Sequence, residues 1–255
     1  MQHNSVILPL PQDSVSLGNS RSYISAVRCV ITGLYTFRDK NPPLRENFIT
    51  WSFGITSVSG AQQKLTTVEL TFTAVLSALV GAVFLFWSNV VWDLAKLTLG
   101  LLFTPIIYGM WFIGATLPAY IIRKPGIALL GEFLAAVFEL AYGTQFASTV
   151  LLYGFMQGLM TELVLLATRY RRWGWATMMA AGAAPALWAA PADTLLYAIT
   201  APLTYEQCLV FWSLYFVSGA LIAGALVKAL VDYVARSSSM LDFFAVGREL
   251  KGVPQ

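Results

Sequence analysis

The sequence predicts an all-α integral membrane protein of six transmembrane helices with both termini in the cytoplasm. Three observations carry this. Of 255 residues, 57% are hydrophobic and only 11% charged, where a soluble domain carries about a quarter charged residues. Six apolar runs approach the roughly 20 residues that cross a bilayer: 65–87, 97–122, 126–142, 146–168, 174–197 and 207–235. The basic residues between these runs fall almost entirely on one side.

Residues 1–64 precede the first run and differ in kind. They hold Pro9, Pro11, Pro42, Pro43 and scattered charges. The stretch 22–37, SYISAVRCVITGLYTF, is apolar but interrupted by Arg28. No small-residue cleavage site follows a basic start, so a cytoplasmic extension with a surface-lying helix or a poorly ordered arm is expected rather than a signal peptide. The transmembrane domain then covers 65–236. Its first two runs are separated by Trp87-Ser88-Asn89 and by Asp93-Leu94-Ala95-Lys96; Arg123-Lys124-Pro125-Gly126 ends the second. Tyr142–Gln145 ends the third, which is the shortest. Arg169–Gly174 ends the fourth, and Thr200–Glu206 separates the last two. Residues 237–255 form a short mixed tail.

Lysine and arginine set the orientation. With the N-terminus inside, the inner segments hold Arg123, Lys124, Arg169, Arg171 and Arg172, and Lys96 is the sole basic residue outside. The outer loops then carry Asp93, Glu206 and the aromatics Trp87, Trp92, Tyr142 and Tyr205.

Composition also excludes function classes. The net charge of +3 gives no reason to expect a nucleic-acid partner. Cys29 and Cys208 form no CxxC, and His3 is the one histidine, so neither a zinc site nor a His-based triad is expected. There is no GxxxxGK[ST], HExxH or GxSxG. No metal or cofactor is expected, and nothing resembles a catalytic constellation.

The informative residues are the acids inside apolar runs, because ionisable groups at membrane depth mark cavities and sites. Glu132 and Glu139 lie seven residues apart, nearly in line on one helix face and roughly 10 Å apart along its axis. Glu162 lies in the fourth run and Asp193 near the outer end of the fifth. Depth favours Glu139 and Asp193 as site residues. Glu132 and Glu162 sit toward the cytoplasm, where a structural pairing and a site are both open. Tyr153 and Gln157, one turn apart, share a face of the fourth helix; an amide there can donate and accept, toward a ligand or a neighbouring helix. Tyr108 and Trp111 fall mid-membrane, where an interfacial belt does not explain them and aromatic packing does. Ala74, Ala78 and Ala82 recur at four-residue spacing, which lets another helix approach closely, although alanine is common in such helices.

The segments IIRKPGIALLGEFLAAVFEL, LLYGFMQGLMTELV and RYRRW, with YGMWFIGATLPAYIIRKPG before them, resemble the substrate-binding S components of energy-coupling factor (ECF) importers. The likeness is to the YkoE type, linked to thiamine and its hydroxymethylpyrimidine precursor. It spans roughly residues 65–235 and is most specific from Tyr108 to Trp173. The resemblance implies a six-helix bundle with both termini inside, a vitamin bound near the outer face, and no cofactor. It implies docking on a transmembrane coupling protein driven by two ABC-type ATPases in the bacterial plasma membrane, where the S component tips over to release its cargo. It implies that Ala74, Ala78 and Ala82 contact the coupling protein. Thiamine carries a fixed positive charge and an aminopyrimidine. Glu139 and Asp193 would oppose the charge. Trp92, with Tyr108 and Trp111 beside it, would offer aromatic faces, and Gln157, with Tyr153, would read the pyrimidine edge. The segment 87–96, with Trp87, Trp92 and Asp93, would act as a lid. An S component for another nutrient, and a membrane scaffold whose acids are only structural, remain alternatives; a membrane enzyme ranks behind both.

Overall fold

The computed structural model describes residues 64–252, so all but the last residue of the expected N-terminal extension lies outside the described residues. Among those described, all regular structure is helical. The stretches Thr67–Ile122, Thr149–Ala167 and Tyr205–Ser237 are each long and apolar enough to cross a membrane.

The first rod begins at Thr66. Its hydroxyl accepts from the Glu69 amide at 3.2 Å, and the Glu69 carboxylate accepts from the Thr66 amide at 2.8 Å, a reciprocal cap for α1 (Thr67–Phe86). The same carboxylate pairs with Lys124 at 2.7 Å, tying the start of α1 to the loop after the second rod. Helical backbone continues through a π-turn at Trp87–Val91 into α2 (Trp92–Phe103). The break falls at Gly100, with φ 71° and ψ 165°, a conformation that glycine adopts without strain.

This corrects the expected boundary. Residues 87–96 are helix, not a lid loop, and the first rod extends to the residue before Gly100. Their polar residues leave the backbone helical because each is accommodated on a helix surface. Ser88 points inward and is buried. Asp93 and Lys96 pair with each other at 2.6 Å, three residues apart.

The second rod is a 3₁₀ segment, Thr104–Phe112, followed by α3 (Ile113–Ile122). Pro118 sits inside α3, and its ring faces Gly131 so closely that a β-carbon there would lie 2.5 Å from it. The third rod, α4 (Ile127–Tyr142), has 16 residues and so spans roughly 24 Å. Its N-terminus is capped from another helix. The Glu162 carboxylate accepts from the amides of Gly126 (2.7 Å), Ala128 (3.1 Å) and Leu129 (3.4 Å), and from the Tyr170 hydroxyl (2.6 Å). Burial, reinforced by that carboxylate, pushes the Tyr170 hydroxyl far above its usual range, so it stays a donor at any working pH. An anion at the N-terminus of a helix is favoured by the unpaired amides and the helix dipole. Glu162 is thus a structural residue. Glu162→Ala should lower stability by about 1.5–3 kcal/mol, as for a lost hydrogen bond to a charged group. A lowered midpoint of thermal unfolding in detergent is the expected reading, and an unchanged midpoint would contradict the capping role.

The fourth rod is α5 (Thr149–Ala167). The fifth is α6 (Trp175–Ala183) and α7 (Ala186–Leu196), joined at Pro185. The sixth is α8 (Tyr205–Ser218), a π-segment Gly219–Leu226, and α9 (Val227–Ser237). Fifth and sixth rods cross at backbone contact, since a β-carbon on Gly182 would lie 2.5 Å from the Gly219 carbonyl oxygen and from the Gly224 amide nitrogen. Backbone approach of this kind is how small residues hold helices together in lipid. The chain then folds back, and α10 (Ala245–Leu250) packs on α3.

One end of the bundle holds the basic groups. Arg123 lies over the rings of Tyr120 (4.9 Å) and Trp173 (5.2 Å) and pairs with Glu249. Lys228 donates to Asp232 at 2.9 Å and to the Tyr120 hydroxyl, which donates to Asp232 at 2.6 Å. Lys228 and Asp232 lie inside the sixth apolar run and satisfy each other, so a charged pair enters the bundle without an unmatched charge. The aromatic core, including Phe84, Trp92, Phe112 and Tyr215, occupies the other end.

Candidate substrate-binding cavity

A cavity of about 340 Å³ opens at the end away from the basic loops. Lys96, Thr149 and Tyr197, all exposed, form part of its rim. Its size lies within the range of small-molecule sites. Every residue expected to meet a ligand lines it: Glu139, Gln157, Tyr153, Asp193, Trp92, Trp111 and Tyr108. Of the lid residues, neither Trp87 nor Asp93 lines it.

The aromatic wall follows from the helices that meet there. The π-turn of the first rod brings Trp92 against Tyr108 and Trp111 of the 3₁₀ segment. Ring centres are 5.7 Å (Trp92–Tyr108), 5.0 Å (Trp92–Trp111) and 4.8 Å (Tyr108–Trp111) apart, all edge to face. Such packing is the favoured geometry of aromatic pairs. Phe146 closes the corner, 6.3 Å from Trp111.

Two of the acids are held by hydroxyl groups. The Trp111 indole donates to Ser88 at 3.1 Å, and Ser88 donates to Glu139 at 2.6 Å. Thr144 donates to the same Glu139 oxygen at 2.9 Å. Asp193 accepts from Tyr153 at 2.5 Å on one oxygen and from Tyr215 at 2.6 Å on the other. Gln145 donates through its side chain to the Ser88 carbonyl and through its backbone to Asn89 at 3.2 Å. The short loop after α4 is thereby fixed against the first rod, beside the rim.

Glu132, which depth alone left open, lines the same cavity at 1% exposure. Ser88, in a polar break between apolar runs, and Tyr215 and Thr144, whose spacing does not single them out, carry no signal of this site in the sequence. Lys96 is expected outside by charge alone, and its place at the rim is added by the structure.

The alanine stripe lies elsewhere. Ala74 and Ala78 are half-buried and Ala82 is exposed. A second small-residue stripe beside it, Thr73, Ser77 and Gly81, faces inward. Ser77 donates to the Gly131 carbonyl at 3.0 Å, and a β-carbon on Gly81 would meet the Ala135 carbonyl at 2.7 Å. The first helix therefore spends one stripe on its own fold and leaves the other at the surface.

Comparison with known proteins accords with this architecture. Residues 68–188 match a protein-family model described as ABC-type cobalt transport system, permease component. YkoE of Bacillus subtilis (strain 168), whose name marks it as a candidate HMP/thiamine permease protein, is 35% identical over 185 residues, covering 72% of this chain and 90% of YkoE. A solved structure described as an S-component of an ECF transporter superposes with a TM-score of 0.69 at 32% identity, covering 74% of this chain and 94% of that one. The chain belongs to the S components of ECF transporters. As an S component of the YkoE type it is a transport subunit of the membrane, not an enzyme. The resemblance read over roughly residues 65–235 is to this same family.

Proposed function

We propose that this S component binds thiamine or its hydroxymethylpyrimidine precursor from outside the cell and delivers it inward through an ATP-driven ECF importer of the bacterial plasma membrane. The observation that carries this is a cavity in which three carboxyl groups, an amide and an aromatic corner converge. A cationic heteroaromatic molecule needs those groups: acids to oppose the charge, ring faces to lie against it, and an amide to hydrogen-bond a ring edge. The name of YkoE supports the same ligand class. Partners would be a transmembrane coupling protein and two ABC-type ATPases, and the surface stripe of Ala74, Ala78 and Ala82 is the docking face for the first of these. Lys96, at the end of the helical segment 87–96, and Tyr197 border the entrance.

Titration calorimetry with a vitamin panel tests the substrate. Heat with thiamine or hydroxymethylpyrimidine and none with riboflavin or biotin is expected; the reverse would replace the substrate while leaving the family intact. The orientation has its own test. The basic end is assigned to the cytoplasm because lysine and arginine are retained there. Reporters after Lys124 and Arg172 should read cytoplasmic, and reporters after Gly143 and within 200–204 should read external. An external reading after Lys124 would invert the molecule.

A further inference from the structure

Three acids line the cavity, and they are not equivalent. Glu139 is occupied by Ser88 and Thr144, and Asp193 by Tyr153 and Tyr215. Glu132 is 1% exposed, and its Oε2 has no hydrogen-bond partner among the described residues. The Ala115 backbone amide faces the carboxyl group, and Oε2 is left without a partner. A buried carboxyl group with an unused oxygen is costly, more so at membrane depth. Space has nonetheless been kept around it. A β-carbon on Gly114 would lie 2.8 Å from Oε2, and one on Gly158 would lie 3.0 Å from the Glu132 β-carbon. On the facing helix, next in sequence to Gly158, stands Gln157. It is 4% exposed and lines the same cavity, and its side-chain amide makes no hydrogen bond among the described residues.

We infer that Glu132 and Gln157 together form the specificity-determining subsite for a hydrogen-bonding heterocycle edge, with Glu132 accepting from an exocyclic amine and Gln157 meeting the adjacent ring nitrogen. The inference rests on the substrate reading given above. The carboxyl group can turn about its last bond, so either oxygen serves as acceptor. The amine-bearing ring then enters first, toward the bundle interior. The charged ring of thiamine remains above it, against Trp92, Tyr108 and Trp111 and nearer the rim. Glu139 and Asp193 act there through a wall whose shape their hydroxyl partners fix, while Glu132 is the acid that gains a hydrogen bond when the ligand arrives.

Calorimetry on the detergent-extracted protein with thiamine, and with the analogue whose exocyclic amine is replaced by an oxo group, tests this. The parent should prefer thiamine by about 10- to 100-fold, the scale of a hydrogen bond to a charged group. Glu132→Leu, which keeps the side chain's bulk and removes both oxygens, should bind thiamine weaker by a similar factor and no longer distinguish the two ligands. Gly114→Ala retains the carboxyl group but displaces it and should also narrow the preference, which keeps the test decisive if the leucine variant does not fold. Unchanged thiamine affinity in Glu132→Leu would overturn the assignment. So would a general loss of affinity with the preference intact, since that is what a purely structural role produces. A parent protein that binds neither thiamine nor hydroxymethylpyrimidine overturns the substrate reading and this subsite with it, and is distinguished by failing before any variant is made.

Discussion

Ala82→Leu should abolish vitamin uptake by cells while leaving ligand binding by the extracted protein unchanged. Ala82 is exposed on the first rod, on the face next to the stripe that packs against α4. Association between helices in lipid relies on close backbone approach and van der Waals contact. A leucine at a small-residue contact separates the backbones, and a loss of about 1.4 kcal/mol already weakens docking roughly tenfold. The cavity is not lined by Ala82, so binding is spared. Ala78→Leu is a less clean probe, because the Ala78 carbonyl accepts from Tyr142 at 3.4 Å and the Ala78 side chain is half-buried in the fold itself. Uptake measured with labelled thiamine, beside calorimetry on the same variant, separates the two functions. Normal uptake in Ala82→Leu would remove the stripe from the docking face.

Trp111→Ala should weaken thiamine binding by roughly 30-fold or more, and hydroxymethylpyrimidine binding by less. Trp111 is the hub of the aromatic corner, in contact with Trp92, Tyr108 and Phe146. A cation over a desolvated aromatic face is worth about 2 kcal/mol, which is about 30-fold. Hydroxymethylpyrimidine lacks the fixed positive charge, so it loses only packing. Truncating a buried tryptophan also costs on the order of 3–5 kcal/mol of stability, and melting must be followed alongside. Trp111→Phe controls for this. It keeps a ring against Trp92 and Tyr108 and loses only the indole donor to Ser88. Its thiamine affinity should fall much less than that of the alanine variant. Equal losses for both ligands in Trp111→Ala would show that the corner supports shape and not charge.

Much of this was readable in the chain, for physical reasons. Apolar length, charged breaks and the bias of Arg123, Lys124 and Arg169–Arg172 locate helices because the bilayer leaves the backbone few options. Buried acids stand out because lipid makes them costly, so Glu139 and Asp193 could be assigned to a cavity before any geometry was known. What could not be read was how each acid is satisfied. Depth ranked Glu139 above Glu132, yet Glu139 has two hydroxyl donors from distant segments and Glu132 retains an unpartnered oxygen. Glu162 was ambiguous for the same reason: its partners are amides of α4 and a tyrosine beyond its own helix. The first boundary differs from the expected one because Ser88, Asn89 and Asp93 are polar, and polar residues between apolar runs resemble a loop. Helix continues wherever polar side chains find partners, and it stops at Gly100, whose positive φ is not visible in a sequence.

The most direct test of the substrate assignment is mass spectrometry of whatever small molecule accompanies the protein when it is extracted in mild detergent from cells grown with vitamins present. The protein should carry thiamine or hydroxymethylpyrimidine in near-equimolar amount, and Glu132→Leu prepared in parallel should carry little of either. A different vitamin in the parent protein, or a cavity that carries neither compound and takes up neither when they are added, would contradict it.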